Sequence, residues 1–394
     1  MPRHFLRFET AEHRRRFVGS QDRATVRHES RHDERLVIAE LEQSRAEEHR
    51  AAGVQVFKDI HFVKTDGGAP APGDQALPPN ATLAQVVQQV RAPSAWGITR
   101  GQGVTVAILD TGVVDAPEFA QKHSPLSFST DPTLNPWDSD DGHGVMCASI
   151  AAGTAAAGGR YDGVAPAAMV LSARAGGYDA SDMYPMYDQL LQLRNSHALL
   201  GPVVLNNSYG MAVCQPPGDP PDHPFFQIIA AAGQAGMASV FAAGDWHATQ
   251  LCHNSPSQCT PNTIWSANSL DAVLSVGAVD WNNSNQVLPH GNSSRGPGEL
   301  AIAFPKPDCV APTYGEVLRW HEYQSRPWWG TSASAPVVVG LLALVFSRSL
   351  QLGKQIPIPA AFDLVRQTCH RLPAAATCVG NGLVDCLTAV GAVQ

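Results

Sequence analysis

Short, continuous apolar runs recur along the larger, C-terminal part of the chain and alternate with stretches of helical spacing. They lie at residues 104–109, 169–175, 203–207, 239–243 and 272–276. An apolar run of this length, without polar alternation, is typical of a strand that is buried on both faces. Because helices separate these strands, the pattern predicts an α/β domain with a doubly wound, mostly parallel sheet.

The first 60 residues follow a different pattern and predict a separate small α+β domain. Their apolar spacing predicts strands at 4–8, 24–28, 35–41 and 54–62 and helices at 11–18 and 42–51. This βαββαβ order is the ferredoxin-like pattern. Charge density marks the same boundary, since 23 of the first 60 residues are charged, against 39 of the remaining 334. Residues 65–79, TDGGAPAPGDQALPP, lack periodicity and predict an exposed linker.

Composition argues against several classes of partner. The chain has 394 residues, of which 44% are hydrophobic, and a net charge of −8. A negative chain is a poor match for nucleic acid or for an anionic membrane. No run of about 18 apolar residues is present, so the sequence predicts no transmembrane helix. The first ten residues, MPRHFLRFET, lack the apolar core of a signal peptide, which favours a cytoplasmic location.

The eight cysteines favour the opposite location. Cys252 with Cys259, and Cys369 with Cys378, are close pairs that suggest two loop-clamping disulfides in an oxidising, extracytoplasmic compartment. The alternative is four unpaired thiols on loops. Three further cysteines lie in apolar patterns and are expected to be buried free thiols: Cys147, Cys309 and Cys386. Composition therefore leaves the location open.

Three short motifs carry side chains that suit nucleophilic catalysis. ILDTG places Asp110 after a predicted strand, DGHG flanks His143 with glycines, and GTSASAP places Ser332 at the start of an apolar helix. A carboxylate can hold the tautomer of a histidine, and the histidine can take the proton of a serine hydroxyl. N–H groups at a helix start stabilise negative charge that develops there. The order Asp, His, Ser is one of three known orders for this geometry.

Two other motifs suggest different chemistry. DTG is also the signature of aspartic proteases, but that mechanism needs two carboxylates and DTG occurs once. Residues 28–32, HESRH, match the zinc-protease motif HExxH. That motif requires a helix, whereas these residues fall between two predicted strands. A hairpin turn is therefore the favoured interpretation, and no metal site is expected.

Taken together, these motifs resemble those of the subtilisin-like serine proteases (subtilases) over roughly residues 85–390. Further matching segments, in the family's order, are GVAPAA at 163–168, VVLNNSYG at 203–210, VLSVGAVD at 273–280, NSSRGP at 292–297, KPDCVAP at 306–312 and GNGLVDC at 380–386. The resemblance implies a subtilisin-like catalytic domain at 81–394. It also implies an inhibitory propeptide at 1–66 and, at 67–80, a linker in which the chain cuts itself.

The resemblance assigns catalytic roles by position. Asp110 orients His143, His143 is the general base, and Ser332 is the nucleophile. Asp245 and the start of the helix at Ser332 form the oxyanion hole, where most subtilases have Asn instead of Asp. An ionised Asp cannot donate a hydrogen bond to the oxyanion, and losing one such donor lowers the catalytic rate by about 10²–10³. We therefore expect a mildly acidic pH optimum, at which Asp245 is protonated, although a neutral His143 favours higher pH.

The resemblance also implies a substrate-binding strand. Ser208, Tyr209 and Gly210 match the segment that pairs with an extended substrate. Gly210 and Gly244 are expected to leave the primary pocket open for a large apolar or aromatic residue before the cut.

The expected function is a serine endopeptidase that acts through an acyl-enzyme intermediate and is made as a zymogen. The alternative is a catalytically weak pseudoprotease that binds peptides or a protein partner in the same groove. We expect a monomer whose partners are polypeptide substrates and its own propeptide, without nucleic acid or membrane. No cofactor is required. Calcium has no clear ligand loop, because Asp162 is the only carboxylate at residues 154–163.

Overall fold

The structure is a computed structural model that describes residues 1–21, 25–65, 81–281 and 286–394. The interval predicted for self-cleavage, 67–80, lies outside the described residues, as does the predicted linker apart from Thr65. The first residue of the strand predicted at 24–28 also lies outside them.

The N-terminal part of the chain forms a βαββαβ unit, as the apolar spacing predicts. Its elements are β1 (Arg3–Arg7), α1 (Ala11–Ser20), β2 (Val26–Glu29), β3 (Leu36–Glu40), α2 (Gln43–Ala51) and β4 (Gln55–Lys58). The strands form an antiparallel sheet in the ferredoxin-like order β2-β3-β1-β4. Leu6 and Val37 pack with Phe17 of α1, whereas Phe5 and Ile38 face the rest of the protein. The sheet is therefore buried on both faces.

The remaining elements are the short strand β5 (Val63–Lys64), which ends the N-terminal segment, and those of the larger domain. In chain order they are β5 (Val63–Lys64), α3 (Leu83–Gln89), α4 (Ala92–Ala95), β6 (Thr105–Asp110), β7 (Phe128–Ser129), α5 (His143–Ala152), β8 (Met169–Arg174), α6 (Ala180–Asn195), β9 (Val203–Asn207), β10 (Tyr209–Gly210), α7 (Pro224–Gln234), β11 (Met237–Ala242), the 3₁₀ helix Ser266–Ser269, β12 (Leu274–Trp281), β13 (Val287–Pro289), β14 (Cys309–Pro312), β15 (Gly315–Arg319), β16 (Glu322–Arg326), α8 (Thr331–Gln351), α9 (Ile358–Thr368), α10 (Ala376–Val379) and α11 (Cys386–Gly391).

The central sheet has the order β13-β12-β11-β9-β6-β8-β7, with β14 also paired to β12. Every described pairing in it is parallel except β12 with β13. Alternate residues of β6 belong to different cores. Val106 and Ile108 pack on the side of α5 and α8, and Ala107 and Leu109 on the side of α6 and α7. This arrangement is the predicted doubly wound α/β fold.

Helix α8 is the central helix of the larger domain. By length and composition alone it could cross a membrane, but 89% of its most apolar window is buried inside the fold. It packs against α5 and against strands β9, β11 and β12. Its position in the core explains its apolar sequence.

The N-terminal sheet docks on helices α6 and α7. The ring of Phe5 lies 5.6 Å from that of Tyr184 and 4.9 Å from that of His223. Beside these rings, Asp188 of α6 accepts backbone N–H groups of the turn that follows β2, and His28 Nε2 lies 2.9 Å from its Oδ2. Burial works to raise the pKa of Asp188, but these partners hold it below its usual value. His28 and Glu29 lie on β2, with His28 facing this carboxylate, and residues 30–35 form the predicted turn to β3.

A second carboxylate at this interface, that of Asp59, lies in surroundings that stabilise its negative charge less well. Asp59 accepts the backbone N–H of Ser181 at 2.9 Å and its hydroxyl at 2.5 Å. Burial, together with the negative charges of Asp179 and Asp182, raises the pKa of Asp59 to about 6. The contact between the domains therefore favours the protonated form of Asp59.

Replacing Asp59 by Asn tests this contact. Because the pKa of Asp59 is higher in the folded chain than in the unfolded chain, its contribution to stability falls as pH rises from about 4 to about 6. Between pH 5 and pH 7, this group alone changes the unfolding constant by about tenfold. We expect Asp59→Asn to abolish that change, measured by urea unfolding in a Ser332→Ala background that prevents the expected self-cleavage.

Asp33→Asn is the matched control. Burial works to raise the pKa of Asp33, but the N–H of Arg35 and the charge of Arg7 lower it. Asp33 is therefore ionised at both pH values, and its replacement should leave the pH dependence intact. An Asp59→Asn variant with the parent's pH dependence would contradict the prediction.

Candidate active site

Asp110 and His143 meet at the carboxyl edge of the central sheet. Asp110 is the last residue of β6, His143 is the first residue of α5, and both are completely buried. His143 Nδ1 lies 2.9 Å from Oδ2 and 3.0 Å from Oδ1 of Asp110. Because an ionised carboxylate can only accept, Nδ1 carries the proton in this contact. The neutral ring then presents Nε2 as an acceptor on its other side.

Ser332 lies on that other side, in the first turn of α8. Its Oγ lies 2.9 Å from His143 Nε2 and 3.0 Å from the carbonyl oxygen of Ser208. Oγ1 of Thr65 lies 2.8 Å away as well, and the single proton of the Ser332 hydroxyl can be donated to one of these oxygens or to Nε2 at any moment. The structure thus brings the three predicted catalytic residues into one hydrogen-bonded row.

Two glycines allow α5 to approach β6 closely enough for this row to form. A Cβ on Gly144 would lie 2.4 Å from the carbonyl oxygen of Gly112 and 3.1 Å from Cβ of Asp110. Gly112 itself has a φ of +102°. A side chain at Gly144 would force the helix carrying His143 away from Asp110, and one at Gly112 would strain the backbone and collide with the carbonyl oxygen of Asp138.

Asp110 has two further partners, one of which the sequence did not indicate. Thr111 donates its backbone N–H to Oδ1 at 2.8 Å, and the hydroxyl of Tyr178 donates to the same oxygen at 2.9 Å. Burial raises the pKa of Tyr178 well above its usual value, so the phenol stays a neutral donor. Tyr178 follows β8 in an irregular segment, where nothing in the local pattern pointed to Asp110.

Asp245 lies where the resemblance places it, next to the start of α8. Its Oδ1 accepts both the backbone N–H of Thr331 at 2.8 Å and the hydroxyl of Thr331 at 2.9 Å. The same hydroxyl accepts the N–H of Gly244 at 3.1 Å. Because Oδ1 is engaged as an acceptor, a proton that Asp245 donates must sit on Oδ2.

The groove beside Ser332 is filled by the chain's own residues 63–65. Strand β5 pairs antiparallel with β10, with Lys64 opposite Tyr209 and Val63 opposite Gly210. Thr65 donates its N–H to the carbonyl oxygen of Ser208 at 3.3 Å. Its own carbonyl oxygen accepts the backbone N–H of Ser332 at 2.9 Å. The segment therefore lies as an added strand, with the Thr65 carbonyl at Ser332.

The side chain of Thr65 occupies the pocket between the two predicted glycines. A Cβ on Gly210 would lie 3.2 Å from Cγ2 of Thr65 and 3.7 Å from Cα of Gly244. Asn268 forms another wall, because its Nδ2 donates to the carbonyl oxygens of Tyr209 at 2.6 Å and Ala242 at 2.7 Å. Sequence reasoning did not identify Asn268. The preference for a large residue in this pocket remains a prediction.

The predicted disulfide pairs are wrong. The structure joins Cys214 to Cys252 and Cys259 to Cys378, across sequence separations of 38 and 119 residues. Each bond ties the loop at 252–259 to a distant segment, so proximity in the sequence was misleading. Cys369, predicted to pair with Cys378, instead donates its thiol to the carbonyl oxygen of Val365 at 3.2 Å.

The other four cysteines, all within the described residues, are free: Cys147, Cys309, Cys369 and Cys386. Cys147, Cys309 and Cys386 are buried, as predicted. Cys147 lies beneath the site, with Sγ 3.6 Å from the carbonyl oxygen of Ser332. Burial raises the pKa of the Cys147 thiol well above its usual value, so it stays protonated.

Metal binding has little support in the part of the chain that the structure describes. One described group has ligand atoms within 4.8 Å of one another, and it consists of Asp110, His143 and Cys147. Its Asp and His already bond to each other. In the loop at 154–163, Asp162 pairs with Arg100 at 2.7 Å and accepts the N–H of Ala155. That carboxylate is engaged in structural bonds, and the absence of a tight calcium site there stays a prediction.

A parallel sheet with an Asp, His and Ser row at its carboxyl edge defines the class of subtilisin-like serine peptidases. Residues 101–355 match the Peptidase S8 subtilase family, and the chain belongs to that family.

Three curated relatives illustrate the relationship. Serine protease AprX of Bacillus subtilis (strain 168) is 26% identical over 274 residues, which are 64% of this chain and 59% of AprX. Mycosin-4 of Mycobacterium tuberculosis is 29% identical over 324 residues, covering 75% of this chain and 66% of mycosin-4. Mycosin-1 of the same organism is 31% identical over 325 residues, which are 75% of this chain and 68% of mycosin-1. The chain thus spans about two thirds or less of the length of AprX and mycosin-4.

Solved structures share the fold. The structure of MycP1 with its N-terminal propeptide removed has a TM-score of 0.59 and 24% identity, covering 77% of this chain and 96% of MycP1. Fervidolysin from Fervidobacterium pennivorans, a keratinolytic enzyme related to subtilisin, has a TM-score of 0.72 and 16% identity. It aligns over 100% of this chain and 61% of its own. These likenesses confirm the predicted subtilisin-like α/β fold.

Peptide mapping tests the disulfide pairs. After digestion without reduction, we expect linked peptides that join Cys214 to Cys252 and Cys259 to Cys378, identified by mass spectrometry. Cys259→Ser should lower the free energy of unfolding by about 4 kcal/mol, because it opens a loop of more than 100 residues. Cys386→Ser, which changes a free thiol, should leave both linked peptides intact. A peptide joining Cys252 to Cys259 would contradict the pairing.

Proposed function

We propose that the chain is a serine endopeptidase that is made as a zymogen and acts through an acyl-enzyme intermediate. The observation that carries the proposal is the row in which Asp110 holds His143 and Nε2 of His143 meets Ser332 Oγ at 2.9 Å. Membership of the subtilase family supports the same activity.

The geometry suggests a role for each group. His143 takes the proton of Ser332 as Oγ attacks the carbonyl carbon of the substrate, and it later returns that proton to the leaving amine. Asp110 keeps the imidazole in the productive tautomer and stabilises its protonated form. The backbone N–H of Ser332 already points at a carbonyl oxygen, that of Thr65, and would stabilise the negative charge that develops there. The mechanism needs side chains and water, without a cofactor.

The N-terminal domain would act as an inhibitor that is also the first substrate. Residues 63–65 occupy the groove as an added strand, so another peptide cannot pair with β10 while they remain. Ser332 Oγ also lies 2.8 Å from Thr65 Oγ1. The bond that this arrangement presents to Ser332 is the one between Thr65 and Asp66. This position is close to the interval at 67–80 that the sequence suggested.

Self-cleavage tests the proposal. We expect the purified chain to convert to a form whose N-terminus is Asp66, identified by mass spectrometry, and Ser332→Ala to stay intact. Ser334→Ala is the matched control, because Ser334 lies on the same helix but bonds to the carbonyl oxygen of Ala311 at 2.9 Å. Processing of Ser332→Ala at the wild-type rate would contradict self-cleavage.

The pseudoprotease alternative depends on one observation, the Asp at position 245. A serine-directed fluorophosphonate probe separates the two functions once the propeptide has been removed. Labelling that requires both Ser332 and His143 supports the protease. Absence of labelling at every pH supports a binding protein.

Asp245 would make the oxyanion hole dependent on a proton. With Oδ1 bonded to Thr331 at the start of α8, an ionised Asp245 would place a negative charge near the developing oxyanion and would oppose it. A protonated Asp245 could donate instead. Asn at the same position would keep the bonds to Thr331 and donate through its amide at any pH.

The Asp245→Asn variant tests this dependence. We expect kcat/KM at neutral pH to rise about 10²-fold, the effect of one oxyanion donor, and the gain to shrink toward acidic pH. The measurement is a pH–rate profile of the processed enzyme and the variant with one peptide substrate. Two profiles of the same shape would show that the proton on Asp245 does not control the rate.

The two disulfides bear on location. Such bonds persist in oxidising compartments, so the pairs Cys214–Cys252 and Cys259–Cys378 support a site of action outside the cytoplasm.

A further inference from the structure

The groove contains a charge contact that the catalytic mechanism does not use. Lys64, the residue before Thr65, places Nζ 3.0 Å from Oδ2 of Asp141. The two side chains are 33% and 28% exposed, so the pair is partly shielded from water. Lys64 is the second residue before the bond presented to Ser332. Any peptide cleaved in this register would bring its own second residue to Asp141.

Asp141 is fixed by the catalytic loops themselves. Its Oδ1 accepts the backbone N–H of His143 at 3.0 Å and the hydroxyl of Thr111 at 2.8 Å. These bonds leave Oδ2 directed into the groove. The backbone of Asp141 is held as well, because its carbonyl oxygen accepts the Nε–H of Arg319 at 3.1 Å. The carboxylate is therefore held in place before a substrate arrives, which reduces the entropy lost on binding.

The charge of Asp141 is secure at physiological pH. Burial works to raise the pKa of Asp141. The backbone N–H of His143 and the donors on Lys64 and Thr111 act against burial, and with Lys64 in the groove the pKa of Asp141 falls to about 2. The carboxylate that Lys64 meets is therefore ionised at neutral pH.

The neighbouring acids of the DSDD run face elsewhere. Asp138 and Asp140 lie 3.8 Å and 2.7 Å from the guanidinium of Arg174. Both are acidic neighbours of Asp141 in the sequence, but they contact Arg174 where Asp141 contacts Lys64. The contact with Lys64 is therefore a property of Asp141 and not of the acidic run as a whole.

We propose that Asp141 is a specificity residue that selects Lys or Arg as the second residue before the cleaved bond. The inference rests on the proposed endopeptidase function and names the class of its substrates, which are peptides with a basic residue followed by the residue at the cut. A partly exposed ion pair of this kind is expected to change kcat/KM by about three- to tenfold. A negative residue at that position should be disfavoured by more than a neutral one.

Peptides with the frame of residues 60–69 test the proposal. The native peptide has Lys at the position of Lys64, and two variants carry Ala or Glu there. We expect the processed enzyme to cleave them in the order Lys, Ala, Glu, with about three- to tenfold between Lys and Ala. Asp141→Asn should bring the Lys to Ala ratio close to one, because Asn can still accept at Oδ1 but has no charge. Comparing ratios within each enzyme cancels any general loss of activity.

Two controls sharpen the test. Asp140→Asn removes a charge that faces Arg174, so the Lys to Ala ratio should stay at the wild-type value. Added salt should reduce the ratio in the wild type and leave it unchanged in Asp141→Asn, because partly exposed charges are screened. A wild-type ratio of one, or an unchanged ratio in Asp141→Asn, would overturn the proposal.

Failure of the proposed function would look different, since no peptide would be cleaved at all. In that case the pair itself is measured in the Ser332→Ala chain. Lys64→Ala and Asp141→Asn are combined in a double-mutant cycle of urea unfolding. A coupling of about three- to tenfold in the unfolding constant supports recognition of the basic residue by Asp141. Absence of coupling overturns it.

Discussion

The arrangement of the site depends on the imidazole of His143, which must reach Asp110 and Ser332 at the same time. The three residues come from β6, α5 and α8, so the constraint falls on how two helices pack against one strand. Gly144 lets α5 pack closely against the end of β6, because any side chain there would collide with the carbonyl oxygen of Gly112. On the other side, α8 is held by burial of nearly its whole length. The two helices that carry His143 and Ser332 are thus also central to the core.

The N-terminal domain is positioned so that its last residues reach this row. Its sheet is fixed on α6 and α7 by ring contacts of Phe5 and by bonds to Asp188. After β4 the chain stays in contact with the larger domain, since the carbonyl oxygen of Ile60 accepts the N–H of Ala180 and the ring of Phe62 lies 5.4 Å from that of Tyr209. Residues 63–65 then pair with β10. Docking at the helices therefore places the segment beside Ser332.

The sequence predicted the parts of this structure that local patterns encode. The strand predicted at 203–207 is β9 with the same bounds, because a continuous apolar run reports burial on both faces. The three catalytic motifs were recognisable because close backbone approach requires glycine and a helix start suits a nucleophile. The disulfides were wrong because their partners come from segments far apart in the chain. Tyr178 and Asn268 were missed for the same reason, since each acts on residues of another element.

Asp141 shows a further limit of the sequence. It stands in a run of acidic residues whose members look alike until the structure shows that two face Arg174 and one faces the groove. Two carboxylates near Ser332 would then have separable effects. Asp141 keeps its charge beside Lys64, because its pKa is lowered to about 2, and under our proposal it would affect which peptide binds. Asp245 is bonded through Oδ1 and would need a proton on its other oxygen, so it would affect how fast the bound peptide reacts. Because both are negative when ionised, the field that attracts a basic side chain also opposes an oxyanion. Protonation of Asp245 would remove one of the two opposing charges and leave the attraction of Asp141 for a cation intact.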